Sequence, residues 1–201
     1  MKKGYFYIIL TTIIFSTMEI ALKLVSNTFN PIQLTFTRFF IGGLFLMPFA
    51  LNELHKKHSS ISTSDLCYFA FLGFLGTVVS MGFYQLAVLN TKASVVAVLF
   101  SSNPVFVTIL AFFLLKEAIH KNNILALILE VIGTVIIINP LNTNLSVLGI
   151  TFTIASTITF ALYGVFGKKK CAKYGGIVVT CFGFLFGSLE MLALIDRKSV
   201  V

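Results

Sequence analysis

The chain has 201 residues, of which 57% are hydrophobic and only 11% are charged, and its mean hydropathy is +0.97. A soluble domain of this length cannot bury so much apolar side chain, so the composition excludes the soluble globular classes and indicates a lipid bilayer as the solvent. The net charge of +8 does not indicate nucleic-acid binding, because the basic residues are dispersed among the connections between apolar blocks.

Seven apolar blocks follow one another along the chain, each about long enough for a helix that spans 30 Å of hydrocarbon. They lack the period-two alternation of membrane strands, so we predict an all-α integral membrane protein with about seven transmembrane helices. The blocks cover approximately residues 4–25, 31–51, 66–88, 94–115, 122–139, 145–167 and 174–195.

Basic residues are distributed unequally between the two sides of the predicted membrane protein. Ten lysines fall at the N-terminus and in alternate connections, against three basic residues on the other side. By the positive-inside rule we expect a cytoplasmic N-terminus and a multi-pass protein of the cell (cytoplasmic) membrane. The ten lysines are Lys2, Lys3, Lys56, Lys57, Lys116, Lys121, Lys168, Lys169, Lys170 and Lys173.

Two charged residues lie deep inside the first two blocks. Counted at 1.5 Å per residue from the cytoplasmic ends, Glu19 lies about 22 Å and Arg38 about 20 Å into the membrane, so they share a depth. Charges at such depth often mark substrate or proton pathways. We predict that Glu19 and Arg38 bind polar substrate groups or a coupling proton, and the alternative is a structural ion pair between helices.

A polar run interrupts the fourth block near its middle. Pro104 removes a helical hydrogen bond there, and Ser101, Ser102 and Asn103 supply neutral hydrogen-bonding groups beside it. Transporters place binding sites at such interruptions, so these three residues are candidate substrate ligands. The alternative is a kink that serves packing alone.

Small residues at four-residue spacing favour close helix crossing at two places. Ala93 and Ala97 begin the fourth block, and Gly183 with Gly187 forms a GxxxG pair in the seventh. We predict helix packing at all four. If the chain forms a homo-oligomer, Gly183 and Gly187 are a plausible contact between copies.

Signals for metal or catalytic chemistry are weak. Cys67, Cys171 and Cys181 are isolated and have neither metal-ligand spacing nor the even number typical of a disulfide framework. Motifs of the HExxH or GxSxG type are absent from the sequence. We therefore expect no metal, no cofactor and no enzymatic activity.

An internal repeat relates the two ends of the chain. Residues 4–46 align without gaps with residues 149–191, and eleven of the 43 positions are identical, including Phe39 with Phe184 and Gly42 with Gly187. We predict a first repeat of five helices over 4–139 and an incomplete second repeat of two helices over 145–195. An odd number of spans per repeat inverts the second one in the membrane, which is a transporter architecture.

Several stretches resemble the EamA domain of the drug/metabolite transporter superfamily. The third-to-fifth-block signature is the most specific part, and the likeness extends to about residue 195. The stretches are Phe71-Leu-Gly-Phe-Leu-Gly-Thr, Phe83-Tyr-Gln-Leu-Ala-Val-Leu, Thr91-Lys-Ala-Ser, Leu99-Phe-Ser-Ser-Asn-Pro-Val-Phe, Lys116-Glu117, Ile132-Gly-Thr-Val-Ile-Ile, Thr37-Arg-Phe-Phe-Ile-Gly-Gly, Leu148-Gly-Ile and Phe160-Ala-Leu-Tyr-Gly-Val.

The resemblance implies two EamA repeats with ten spans in total and both termini in the cytoplasm. It also implies export of small metabolites or drugs through a central cavity that is lined by helices of both halves. This sequence has only two spans of the second repeat, so either it is a fragment or it completes itself by association. We expect a permease of small molecules that works by alternating access. The alternative is a truncated, non-transporting protein or accessory subunit that acts through helix contacts.

Overall fold

The computed structural model describes residues 2–25, 30–118, 121–138 and 146–194. These ranges are almost entirely helical and contain no strand, which confirms the all-α prediction. Five of the described stretches are long and apolar enough to cross a membrane, and shorter apolar segments lie at 4–14 and 123–137. The helices are α1 Lys2–Val25, α2 Pro31–Lys56, α3 Thr63–Gly73, α4 Met81–Asn90, α5 Ala93–Ser101, α6 Asn103–Leu115, α7 Lys121–Ile138, α8 Val147–Tyr174 and α9 Gly176–Ala193.

The sixth apolar block is longer than the sequence predicts. We expected it to end near residue 167 and the following lysines to lie in a connection, but α8 continues as a helix to Tyr174. The connection to α9 consists of Gly175 alone, with φ +94°, a conformation that glycine adopts without a side-chain clash. The lysines of this segment therefore extend from the last two turns of α8.

A buried carboxylate explains how the end of α8 is held. Asp65, in the first turn of α3, is only 4% exposed. Its Oδ1 atom lies 2.5 Å from Lys170 Nζ, and its Oδ2 atom accepts a hydrogen bond from the Tyr174 hydroxyl at 2.5 Å. Lys173 Nζ lies 3.5 Å from the same Oδ2. Burial of a charge is tolerated only with such partners, so Asp65 fixes α8 against α3.

A second ion pair lies on the same side of the molecule. Lys168 Nζ lies 2.6 Å from Glu117 Oε1 just beyond α6, and both side chains are largely exposed. The end of α2, the start of α3, and the ends of α6 and α8 thus meet on one face, which we call the lysine-rich face. The end of α4 and the start of α8 meet on the opposite face, where Gly149 lies against Thr91.

The third membrane span is one continuous helix that changes winding at its centre. Between α3 and α4, residues Phe74–Ser80 form a π-helical segment. Its small residues permit close approach: a Cβ on Gly76 would lie 2.8 Å from the Tyr163 ring. Ser80 and Ser156 of α8 each donate a side-chain hydrogen bond to the other's carbonyl oxygen, at 2.9 and 2.8 Å. These buried bonds tie the π-helical segment to α8.

Glycines allow a close crossing of α3 and α9. A Cβ on Gly73 would lie 2.5 Å from the backbone nitrogen of Gly187 and 2.6 Å from the carbonyl oxygen of Gly183. Gly183 and Gly187, which we considered for a contact between copies, are buried inside the chain by this crossing. Ala93 and Ala97 are half-buried on α5, a helix that packs mainly against α8.

Helices α2 and α9 lie antiparallel along much of their length. Glu53, near the end of α2, contacts Gly175, just before α9, and a Cβ on Gly43 would lie 2.7 Å from Leu185. Further along, the rings of Phe39 and Phe184 meet edge to face with centroids 4.7 Å apart. This is the most extensive helix pair of the described chain, and its middle brings together two residues that correspond in the internal repeat.

The glycine crossing gives a first testable prediction. Gly187→Leu should lower the free energy of unfolding in detergent by about 1–3 kcal/mol, because the new side chain meets the backbone of Gly73. Chemical denaturation followed by circular dichroism measures the change. Gly133→Leu is the matched control, since a Cβ on Gly133 meets nothing within 4 Å. Equal destabilisation by both variants would contradict the crossing.

The buried carboxylate gives a second prediction. Asp65→Asn should lower the thermal unfolding midpoint clearly, because Lys170 loses the counter-charge of a buried carboxylate. Glu117→Gln removes an exposed lysine pair on the same face and should change the midpoint little. If thermal unfolding followed by circular dichroism gives the same shift for both variants, Asp65 does not hold α8.

Candidate functional site

Arg38 lies on α2 and is partly buried against α4. Its Nη2 atom lies 3.7 Å from Met81 Sδ, and its guanidinium carbon lies 5.0 Å from the centroid of the Phe39 ring. The sulfur is a weak acceptor and the aromatic face attracts the cation. Insertion of a charged side chain into the middle of a membrane costs about 2.5–3.5 kcal/mol on insertion scales. Arg38 is therefore a candidate functional residue.

The predicted partner of Arg38 lies on α1. The helix around Glu19 is described, but the side chain of Glu19 lies outside the described part of the structure. The pairing of Glu19 with Arg38 therefore stays a prediction.

The fourth span is interrupted at Ser102, between α5 and α6. Ser102 has ψ 5°, and its backbone nitrogen donates to Leu99 three residues earlier. Helix α6 then restarts at Asn103 with Pro104 in its first turn, where the missing N–H of proline is tolerated. Ser101, the last residue of α5, is exposed and donates to the carbonyl oxygen of Val98 in its own helix.

Ser102 and Asn103 differ in how their polar atoms are satisfied. The Ser102 hydroxyl lies 3.2 Å from the Thr134 hydroxyl on α7, which ties the interruption to the fifth span. Asn103 is partly buried, and its Oδ1 atom is buried without a hydrogen-bond partner among the described residues. A buried acceptor without a hydrogen bond costs free energy. The Asn103 Oδ1 atom is therefore suited to accept a hydrogen bond from a bound molecule.

One apolar cluster connects the surroundings of Arg38 and of the interruption. Phe39, next to Arg38, and Phe100, two residues before Ser102, both pack against it. The Phe100 ring contacts Tyr84 edge to face at 5.0 Å and Phe160 at 5.3 Å. The buried members of the cluster are Met81, Tyr84, Ala87, Val88 and Val96. The two groups of predicted site residues thus flank a common core.

Two features of the structure have no counterpart in the sequence predictions. The first is the π-helical segment Phe74–Ser80, a winding that is frequent at functional sites. The second is a cavity of about 470 Å³ near the face opposite the lysine-rich face, and the buried residue Gln85 is one of those that line it. The only sequence signal for either was the polar and small residues inside an apolar block, which by themselves also fit ordinary packing.

Two further acidic residues lie within apolar helices. Glu130 on α7 is partly buried. Glu190 on α9 is also partly buried, and its Oε2 atom has no hydrogen-bond partner within the described ranges. Neither lies among the residues that line the 470 Å³ cavity.

Comparison with known proteins identifies relatives over almost the whole chain. A protein from Clostridium kluyveri named an uncharacterized transporter is 38% identical over 97% of this chain and 65% of its own length. An uncharacterized transporter from Archaeoglobus fulgidus is 29% identical over 94% of this chain and 66% of its own length. The chain therefore spans about two thirds or slightly less of these relatives. No solved structure matches it.

The sequence profile of the EamA-like transporter family matches residues 2–139. This range is nearly the same as the first five-helix repeat that the sequence predicts. The match confirms the resemblance that the residue patterns indicated, and the described helices are those of a multi-pass membrane protein. The chain belongs to the EamA-like transporter family, within the drug/metabolite transporter superfamily.

Proposed function

We propose that this protein is a permease that moves a small polar or amphipathic molecule across the cell membrane by alternating access of two inverted repeats. The observation that carries the proposal is the interruption of the fourth span at Ser102, with the Asn103 acceptor left open beside it. Transporters bind substrates near the middle of the membrane at interrupted helices. Membership in a family whose relatives are named transporters supports the same function.

The contact between α2 and α9 supports the inverted repeat. A two-fold axis in the membrane plane brings corresponding residues of two repeats together where it passes between them. Phe39 and Phe184 correspond in the repeat and touch each other, and the helices that carry them run antiparallel. The proposed repeats are residues 4–139 and 145–195.

The proposed site favours a molecule with an anionic group and a hydrogen-bond donor. The Arg38 guanidinium is suited to a carboxylate or phosphate, and the Asn103 carbonyl oxygen is suited to an N–H or O–H group. The Arg38 guanidinium lies against the Phe39 ring of the common cluster, whose aromatic side chains would contact the apolar part of an amphipathic substrate. Amino acids have this combination of groups and are suitable probes.

The lysine-rich face supports a cytoplasmic N-terminus. The lysine-bearing ends of α2, α6 and α8 meet there, and the positive-inside rule assigns such a face to the cytoplasm.

Transport by reconstituted protein tests this proposal. Proteoliposomes should take up radiolabelled amino acids faster than empty liposomes, and Asn103→Leu should reduce the uptake about tenfold, equivalent to about 1.4 kcal/mol, because one hydrogen bond to the substrate is lost. Ser101→Ala is the matched control, since the Ser101 hydroxyl is satisfied within its own helix. We expect normal uptake from this control.

Two outcomes would contradict the proposal. Equal uptake by the unmodified protein and by Asn103→Leu would exclude the interruption as the binding site. Uptake no faster than that of empty liposomes, from protein that is folded by circular dichroism, would favour the alternative of a non-transporting subunit that acts through helix contacts.

A further inference from the structure

We propose that the 470 Å³ cavity near the face opposite the lysine-rich face binds the acyl chain of a lipid-like molecule. Gln85 donates a hydrogen bond to the carbonyl or carboxylate of that molecule. The cavity lies between the start of α2, the π-helical segment, α4 and the end of α9. Its lining contains no charged side chain among the described residues. The residues that line it include Gly82, Gln85, Leu89, Thr35 and Asn30.

Gln85 identifies the cavity as a binding site. The residue is only 2% exposed, and its Nε2 atom is buried without a hydrogen-bond partner in the described part of the chain. A buried donor without an acceptor is unfavourable, because its hydrogen bonds to water are lost and not replaced. Gln85 is also one of the residues that line the cavity, so a molecule bound there can supply the missing acceptor.

A water molecule fits this requirement poorly. A buried water typically makes two to four hydrogen bonds, whereas this cavity is lined almost entirely by apolar groups. The Asn30 side chain at its edge already accepts a hydrogen bond from the backbone nitrogen of Ile32 at 2.9 Å. An acceptor attached to an apolar body satisfies both Gln85 and the apolar walls.

The depth of Gln85 matches the carbonyl region of a membrane lipid. The third span has 28 residues and is about 42 Å long, close to the 40–45 Å of a bilayer with its polar layers. Gln85 lies five residues before the end of the span at Asn90, which is about 8 Å inside it. This position is near the boundary of the hydrocarbon layer, so the acyl chain extends from Gln85 along the apolar lining.

The site is separate from the residues of the proposed transport function. Arg38, Ser102 and Asn103 do not line the cavity. Failure of the transport proposal would leave this inference intact, and its test does not require transport.

Photolabelling with two lipid probes tests the site in the purified protein. The probes are palmitic acid and a phosphatidylglycerol, each with a diazirine in the middle of one acyl chain. We expect peptides over residues 78–89 to be labelled more heavily than those of the exposed helix α7. Labelling by palmitic acid alone indicates a free fatty acid, and labelling by phosphatidylglycerol indicates a bilayer phospholipid. Both results support a site for an acyl chain that carries a carbonyl or carboxylate acceptor.

Two variants address the cavity and two serve as controls. Gly82→Phe should reduce the labelling at least tenfold, because a Cβ on Gly82 meets nothing within 4 Å and Gly82 lines the cavity, so the ring would occupy the cavity. Gly133→Phe, also in open space but on α7, should leave it unchanged. Gln85→Leu should weaken labelling several-fold, whereas Asn90→Leu should not, since Asn90 is exposed and donates to Leu86 of its own helix.

Thermal unfolding separates a ligand-binding role of Gln85 from a structural one. Palmitic acid should raise the midpoint of the unmodified protein, because a ligand of the folded state stabilises it. Gln85→Leu should abolish this rise without lowering the midpoint of the lipid-free protein, since it removes an unpaired donor. Unchanged labelling and an unchanged rise in both Gly82→Phe and Gln85→Leu would overturn the proposal.

Discussion

Helices in a bilayer gain little hydrophobic free energy by contacting each other, so their association depends on close packing and on hydrogen bonds. In this protein that constraint is met most directly where the backbones of Gly73 and Gly187 touch. The contact fixes α3 against α9, and α9 in turn lies along α2. The π-helical segment, the cavity beside Gln85 and the surroundings of Arg38 all depend on this arrangement of three spans.

Buried hydrogen bonds and an ion pair hold particular helices together in addition to that packing. The reciprocal bonds between Ser80 and Ser156 hold the π-helical segment to α8 near its middle, and Asp65 holds the end of α8 at the lysine-rich face. Hydrogen bonds of this kind link elements that are far apart in the chain. The third span is thereby held by α8 on one side and by α9 on another.

The sequence predicted the helical blocks because their signal is local: length and composition suffice to recognise a membrane helix. The interruption of the fourth span was visible for the same reason, since Pro104 acts on its own backbone. The extension of α8 to Tyr174 did not follow from the local pattern, and Asp65, which contacts the end of this helix, lies more than a hundred residues away in the chain. The cavity escaped prediction too, since a void exists only once the helices are placed.

The pattern of Gly73 and Gly76 contributed to recognising the family, and the structure assigns both glycines to close helix contacts. The most specific part of the resemblance therefore describes packing, while the proposed chemistry rests on Arg38 and Asn103. This division is common in transporters, where one scaffold supports many substrates. The substrate class must accordingly be argued from the site and tested there.

Alternating access is tested most directly by the accessibility of the interrupted span from the two sides of the membrane. A variant without Cys67, Cys171 and Cys181 would carry Asn103→Cys or, as the control, Ser101→Cys. Our account predicts that a membrane-impermeant thiol reagent modifies the cysteine at 103 from either side, and that the lipid-exposed cysteine at 101 reacts from neither. Modification at 103 from one side only, or from neither, would contradict alternating access at this site.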